Sequence, residues 1–294
     1  MKLLSASIPA APTEAAAAPR RRSVLRRLLA DKRAAFSIAF LLIVGVLGLL
    51  APWVAPHSPT EQHLDAVLKG SSMRFWLGTD DVGRDVLSRL IHAGGISLGA
   101  SALAVGVALA LGYPVGLISG YIGGRFDDVV MRLVDALLAF PHLVLALAIT
   151  GALGPNLAHA MFAIGVVFAP VIARLVRGQV LALHAEAYLD EARLLGAPTW
   201  WILLRHVVPN TLSPVIIQAA LLLGLALIAE ASLSFLGLGV QPPDASWGSM
   251  LGRSYRYIMI QPLMMLPPSI AIATAVLAFN LLGDALRDVL ESDR

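Results

Sequence analysis

The chain has 294 residues, 57% of them hydrophobic and only 14% charged, with a mean hydropathy of +0.77. A soluble protein carries roughly 25% charge, so this composition excludes an ordinary soluble domain and points to a chain built for lipid. The absence of cysteine excludes disulfides, thiolate metal sites and cysteine nucleophiles, and the formal charge of +3 acquires meaning only through which loops hold the Lys and Arg.

Residues 1–33 are Ala/Pro-rich and then basic, a pattern expected of a polar N-terminal tail. A cleaved signal is the rival reading, but the following apolar run, 34–51, is longer than the 7–15 residues of a signal core, and Pro52-Trp53 stands where a small-residue cleavage site would be. Residues 34–51 are therefore expected as the first span, long enough to cross most of a ~30 Å hydrocarbon core. The segment 52–94 holds Pro52, Pro56, Pro59 and mixed charges and is too polar for lipid.

The second span is expected at 96–119. Gly112, Gly116, Gly120 and Gly124 recur every fourth residue along its end, either offering a face for close helix approach or merely loosening the chain around Pro114. No Asp, Glu, Lys or Arg occurs between Asp135 and Ala173, and Gly154-Pro155-Asn156 divides that run. This predicts a third span from near Val129 to Leu153 and a fourth over 157–175. A fifth is expected at 211–236, carrying Glu230, and a sixth at 263–283, carrying Asn280. Residues 284–294 form a charged tail. The fold class is an all-α polytopic membrane protein with six spans, its core at 95–283.

Between spans four and five lies a charged, amphipathic island, EAYLDEARLLGAPTWWILLRHVVPN, at 186–210. As a helix it puts Tyr188, Ala192 and Leu195 on one face, and Asp190 and Arg193 three residues apart toward water. Gly196-Ala197-Pro198 stops that helix. A second short helix from Thr199 carries Trp200, Trp201, Leu203 and Leu204 up to Pro209. Six spans put both termini and this island on one side. That side holds 16 of the 22 Lys and Arg, so the positive-inside rule places it in the cytoplasm.

Chemistry-bearing patterns are few. The lysines are Lys2, Lys32 and Lys69, and none follows a glycine, so no P-loop exists to cradle a nucleotide. The seven histidines include no HExxH or i, i+4 pair, and no G-x-S-x-G occurs; neither a metal site nor a catalytic residue is expected. An intramembrane carboxylate such as Glu230 is costly and normally faces a partner or water. It reads either as a pathway group that meets a solute ammonium or as a gating or packing residue. Asn280 reads as an interhelical hydrogen-bond donor or as a solute contact. Trp200 and Trp201 read as interfacial anchors or as an apolar surface for a protein partner.

The island resembles the "EAA" loop of ABC-importer permeases: Glu-Ala-Ala, three residues, Gly, nine residues, then Ile-x-Leu-Pro. Asp190-Glu191-Ala192 match its start, Gly196 its glycine and His206-Val207-Val208-Pro209 its end, with Asp190 and Glu191 departing from the usual pair. WLGTDDVGRDVLSRL (76–90), LVRGQVLAL (175–183), RHVVPN (205–210), ASLSFLGLGVQPPDASWG (231–248) and AFNLLGDALRD (278–288) look like the "C"-type permease of the dipeptide/oligopeptide/nickel branch, over about residue 24 to the C-terminus. The resemblance implies a coupling loop, 177–210, with Asp190, Glu191, Ala192, Gly196, Ala197, Trp200 and Pro209 as the residues that meet an ATPase. It implies a different "B"-type permease as partner, two ATPase subunits that hold ATP and Mg while this chain binds no cofactor, and an extracytoplasmic binding protein, all in a bacterial inner membrane. No nucleic-acid partner is expected. The alternative in another class is an ion-gradient-driven transporter or channel; its usual inverted repeat is not evident between spans 1–3 and 4–6.

Overall fold

The computed structural model describes residues 24–291; the expected tail at 1–33 and the end of the C-terminal tail therefore lie largely outside the described residues. The described residues are helical without a strand. In order they form α1 (Val24–Ala30), α2 (Lys32–Leu49), α3 (Ala51–Val54), α4 (Val86–Ile122), α5 (Gly124–Leu138), α6 (His142–Leu153), α7 (Leu157–His184), α8 (Ala187–Leu194), α9 (Thr199–Ile202), α10 (Val208–Phe235), α11 (Trp247–Tyr255) and α12 (Leu266–Glu291). Side chains set the helix starts. Asp31 accepts from Arg33 N at 2.7 Å, Asp85 from Ser88 N at 2.9 Å, and Asn156 from Ala158 N at 2.8 Å, each satisfying a donor that the helix cannot.

The spine is α4 against α7. An added Cβ on Gly112 would run into the Ala169 carbonyl and Ile172, on Gly116 into the Ala173 carbonyl and Val176, and on Gly120 into Val180, while Gly165 of α7 meets Val107 and Ala104 in return. Three of the four predicted glycines thus serve close packing. Gly124 does not: it opens α5 at φ +61 with nothing within 4 Å of an added Cβ. The register, 104 with 165 and 120 with 180, makes α4 and α7 parallel.

That parallelism decides the topology. A chain leaving α4 at one face and re-entering α7 at the other must cross between them, so α5 and α6 together are one crossing. It is not the straight span expected from near Val129: the two helices are bent by 91°. At 1.5 Å per residue the 12 residues of α6 rise only about 18 Å and cannot cross alone. Pro141 (φ −58, ψ 122) caps α6, and the residue before a proline disfavours the helical region, which ends α5. The remaining crossings are α2, α4, α7, α10 and α12, and the described residues make six in all. Gly48 of α2 lies on Gly95 near the start of α4, and Gly283 and Gly224 of α12 and α10 pack antiparallel against Leu221 and Phe279. Arg33 meets Asp288 at 3.0 Å. The starts of α2, α5 and α10, and the ends of α7 and α12, therefore share one face of the bundle, here the basic face.

Helix limits differ from expectation because capped helices run past the apolar window. α4 begins at Val86, ten residues before 96, and α7 continues to His184. On the opposite face, the loops before α4 and around α11 form a cap. The motif GTDDVGRD folds there as a tight turn: Asp80 Oδ1 accepts from Val82 N at 3.0 Å and Arg84 N at 2.9 Å, and Gly83 takes φ +78, open to glycine at little cost. Asp80 Oδ2 then receives Arg84 at 2.6 Å and Arg89 at 3.7 Å, Arg89 reaches the carbonyl of Pro59 at 2.8 Å, and Arg253 meets Asp81 at 3.2 Å. Elsewhere the outer surface is apolar, with Leu42, Ile43, Leu111, Ile118 and Leu277 exposed, as a lipid-facing wall requires.

Candidate functional site

On the basic face the chain leaves α7 at His184 and makes a corner of two helices. α8 ends in a glycine cap: Ala197 N donates to Ala192 O and Leu195 N to Glu191 O, both at 3.0 Å, and Gly196 has φ +77 in the region where a Cβ is strained. An added Cβ on Gly196 meets nothing within 4 Å, so the glycine is needed for its backbone alone. Pro198 caps α9, whose Trp201 N donates back to Pro198 O at 2.9 Å.

Three fully buried side chains, Leu189, Ile202 and Val207, bind the corner to the main core, with Ala192, Ala197 and Leu203 packed beside them. Of the face expected to join Tyr188, Ala192 and Leu195, only Ala192 packs on this core, while Tyr188 and Leu195 are exposed. α8 stops at Leu194, Leu189 takes the inward position, and Leu195 is 88% exposed. Leu194 is 87% exposed, Trp200 64% and Leu204 63%, so four large apolar side chains ring a rigid corner and project from the bundle. A patch of that kind marks a protein or membrane contact. Tyr188 and Trp201 flank the His206 ring at 5.7 and 5.0 Å.

The second helix does not end near Pro209. α9 runs through a π turn, Leu203–Val207, straight into α10, and Thr199–Phe235 is one helix of 37 residues. In the π turn Val208 N donates to Leu203 O, five residues back, a register in which Pro209, in the first turn of α10, is accommodated. The corner is thus the end of a membrane span.

The other expected residues are placed as follows. Glu191 is exposed; Asp190 lies on the α8 backbone, its side chain outside the described residues. Glu230 is fully buried near the far end of α10, where Ser234 Oγ donates to Oε1 at 2.6 Å with the Ser97 and Ser246 hydroxyls beside it. Asn280 is exposed on α12, its Oδ1 beside Gly224. Hence the corner gathers Glu191, Ala192, Gly196, Ala197 and Trp200, whereas Pro209, Glu230 and Asn280 lie at increasing or separate depths in the bundle. His57 and His63 come together with ring centroids 5.9 Å apart, both against Phe75; among the described residues no three His, Asp or Glu side chains gather as a metal site. Sequence reasoning missed the joint of α5 to α7, where Arg177 grips Asp127; the LVRGQVLAL stretch carries the arginine but not its partner.

Residues 112–294 match the model of the family described as binding-protein-dependent transport system inner membrane component, and residues 20–70 match that of the N-terminal TM domain of oligopeptide transport permease C. The chain is 39% identical over 271 residues to the glutathione transport system permease protein GsiD of Pectobacterium atrosepticum, covering 92% of this chain and 90% of that one. It is 38% identical to the dipeptide transport system permease protein DppC of Alkalihalophilus pseudofirmus (92% and 89% covered) and 41% identical to the di/tripeptide permease DppC of Pseudomonas aeruginosa (89% and 88%). Among solved structures, the inward-facing methionine ABC transporter MetNI shares the fold at TM-score 0.57 and 21% identity, over 68% of this chain and 96% of that one.

Proposed function

Because the chain belongs to the family of binding-protein-dependent transport system inner membrane components, as a permease subunit of an ABC importer, we propose that it carries short peptides or glutathione-like solutes and is driven through the corner at Gly196. The observation that carries the reading is the exposed quartet Leu194, Leu195, Trp200 and Leu204 on a corner whose backbone is fixed and whose inner side is buried. Such a knob fits a groove on an ATPase subunit. The corner is continuous with a 37-residue helix, so an ATPase that moves it moves a whole span rather than a slack loop. The excess of Lys and Arg on this face supports a cytoplasmic position for it and for both termini, where an ATPase has its ATP.

In this reading ATP and Mg are held by two ATPase subunits and this chain binds neither. A "B"-type permease completes the pathway, and a binding protein delivers solute to the cap built from residues 52–85 and 236–261. The solute class rests on the relatives' names: glutathione for one, dipeptides and tripeptides for others.

The test is purification of the tagged chain in mild detergent from its native membrane, followed by reconstitution. A P-loop ATPase and a second permease in stoichiometric amounts, with ATP-dependent uptake of dipeptide or glutathione, is the expected result. A chain recovered alone that moves solute on an ion gradient would overturn it.

A further inference from the structure

α6, α7 and α10 enclose a groove of about 270 Å³, walled by Leu143, Ile164, Val167, Phe168 and Leu222 and carrying the polar groups of His142 and Gln218. Its depth follows from α7. The His142 ring stands edge-on to Phe168 at 6.1 Å, and Phe168 lies roughly 16 Å from one end of α7 and 24 Å from the other at 1.5 Å per residue. The groove is therefore near mid-membrane. Two observations there conflict with a lipid-facing wall. The non-helical turn 139–141 is exposed on the bundle surface, and irregular backbone at membrane depth persists only where protein covers it or water reaches it. Neither His142 nor Gln218 makes a hydrogen bond among the described residues, and polar side chains at this depth face the bundle interior or a water-filled cavity rather than lipid. Leu225 and Ile228 of α10, 52% and 45% exposed, complete the apolar lining of the groove.

We propose that this groove is part of the water-filled translocation path, and that His142 and Gln218 are solute-contacting groups within it. The proposal rests on the permease reading and adds residues to it. The chemistry is specific: the groove carries no Asp, Glu, Lys or Arg. It offers the hydrogen-bonding groups of His142 and Gln218 over an apolar wall, suited to the amide groups and mixed side chains of a short peptide, with no carboxylate, ammonium or guanidinium to hold a solute back.

The chain has no cysteine, so single cysteines report without background from it. Gln218→Cys and His142→Cys are made in the complete importer, with Leu111→Cys as the control. Leu111 is an exposed apolar position on α4 beside Gly112, which packs on Ala169 at the same depth. Each complex, in liposomes with and without ATP, is treated with a membrane-impermeant methanethiosulfonate and the mass of this chain is measured. Thiols react as thiolates, which form only where water solvates them, so positions 218 and 142 should react at least about tenfold faster than 111 in one nucleotide state. Reaction no faster than at 111 in both states, whether lipid or a dry subunit contact is the cause, overturns the proposal. Failure of the unsubstituted complex to take up solute would instead overturn the permease reading and leave the labelling result standing.

Discussion

Arg177 on α7 grips the Asp127 carboxylate on α5 with two hydrogen bonds, Nε to Oδ1 at 2.7 Å and Nη2 to Oδ2 at 2.5 Å, while Ser119 on α4 donates to the same Oδ1 at 2.5 Å. Three helices meet at one carboxylate that is 5% exposed. Arg177→Leu leaves that carboxylate buried without its cation and should cost about 2–3 kcal/mol, softened by the partial exposure of the arginine. Arg174→Leu removes the neighbouring pair with Asp135, whose side chains are 56% and 62% exposed, and should cost under about 0.5 kcal/mol. Thermal unfolding in detergent separates the two, and the double change Arg177→Leu with Asp127→Leu should recover part of the loss. Equal shifts for Arg177→Leu and Arg174→Leu would refute the three-helix joint.

Glycine has opposite uses along α4. Gly112 lies against the Ala169 carbonyl and Ile172, whereas an added Cβ at Gly106 meets nothing within 4 Å. Gly112→Ala should therefore destabilise by about 1–3 kcal/mol through overpacking. Gly106→Ala should be neutral or stabilise by about 0.5–1 kcal/mol, since glycine is a poor helix former. The same melting assay reads both, and a stabilised Gly112→Ala would mean that α4 and α7 are not in backbone contact.

The cap depends on a buried charge. Asp80 is 2% exposed and faces Arg84 and Arg89, 6% and 5% exposed at their side chains. Asp80→Ala removes the one carboxylate shared by two buried cations and should cost about 3–5 kcal/mol. The expected readout is lost accumulation in the membrane and early proteolysis within 52–85; normal expression and melting would exclude the network as a structural element.

How much of this was legible from residues alone differs by scale. The six crossings followed from apolar length, because lipid leaves the backbone few choices. The 91° bend between α5 and α6 did not, because hydropathy records how much of a run is apolar and not its direction; Pro141 was the local signal. The corner at Gly196 was legible because a left-handed cap is a property of one residue. Its continuation through Leu203–Val207 into α10 was not, since Pro209 reads as a stop until the π register is seen. The inward position of Leu189 over Leu195 depended on where α8 ends, a boundary of one residue. Pairings such as Arg253 with Asp81, separated by 172 residues, carry no sequence signal at all.

The corner itself separates stability from coupling. Gly196→Val places a Cβ at φ +77, a strain of about 1–2 kcal/mol, and no neighbour within 4 Å obstructs it, so the protein should still fold and reach the membrane. Leu195→Asp changes a side chain 88% exposed and should leave melting within about 0.5 kcal/mol of the parent. If the corner is the contact through which an ATPase drives α10, both substitutions should lower ATP-dependent uptake at least about tenfold, a loss of roughly 1.4 kcal/mol in coupling, while Leu42→Asn on a lipid-facing helix should leave it near normal. Co-purification distinguishes the modes: Leu195→Asp should also lose the ATPase, and Gly196→Val should retain it with ATP hydrolysis no longer tied to uptake. Full uptake by Leu195→Asp would exclude the exposed quartet as the driving contact, because a charge at the centre of an apolar interface cannot be desolvated without cost.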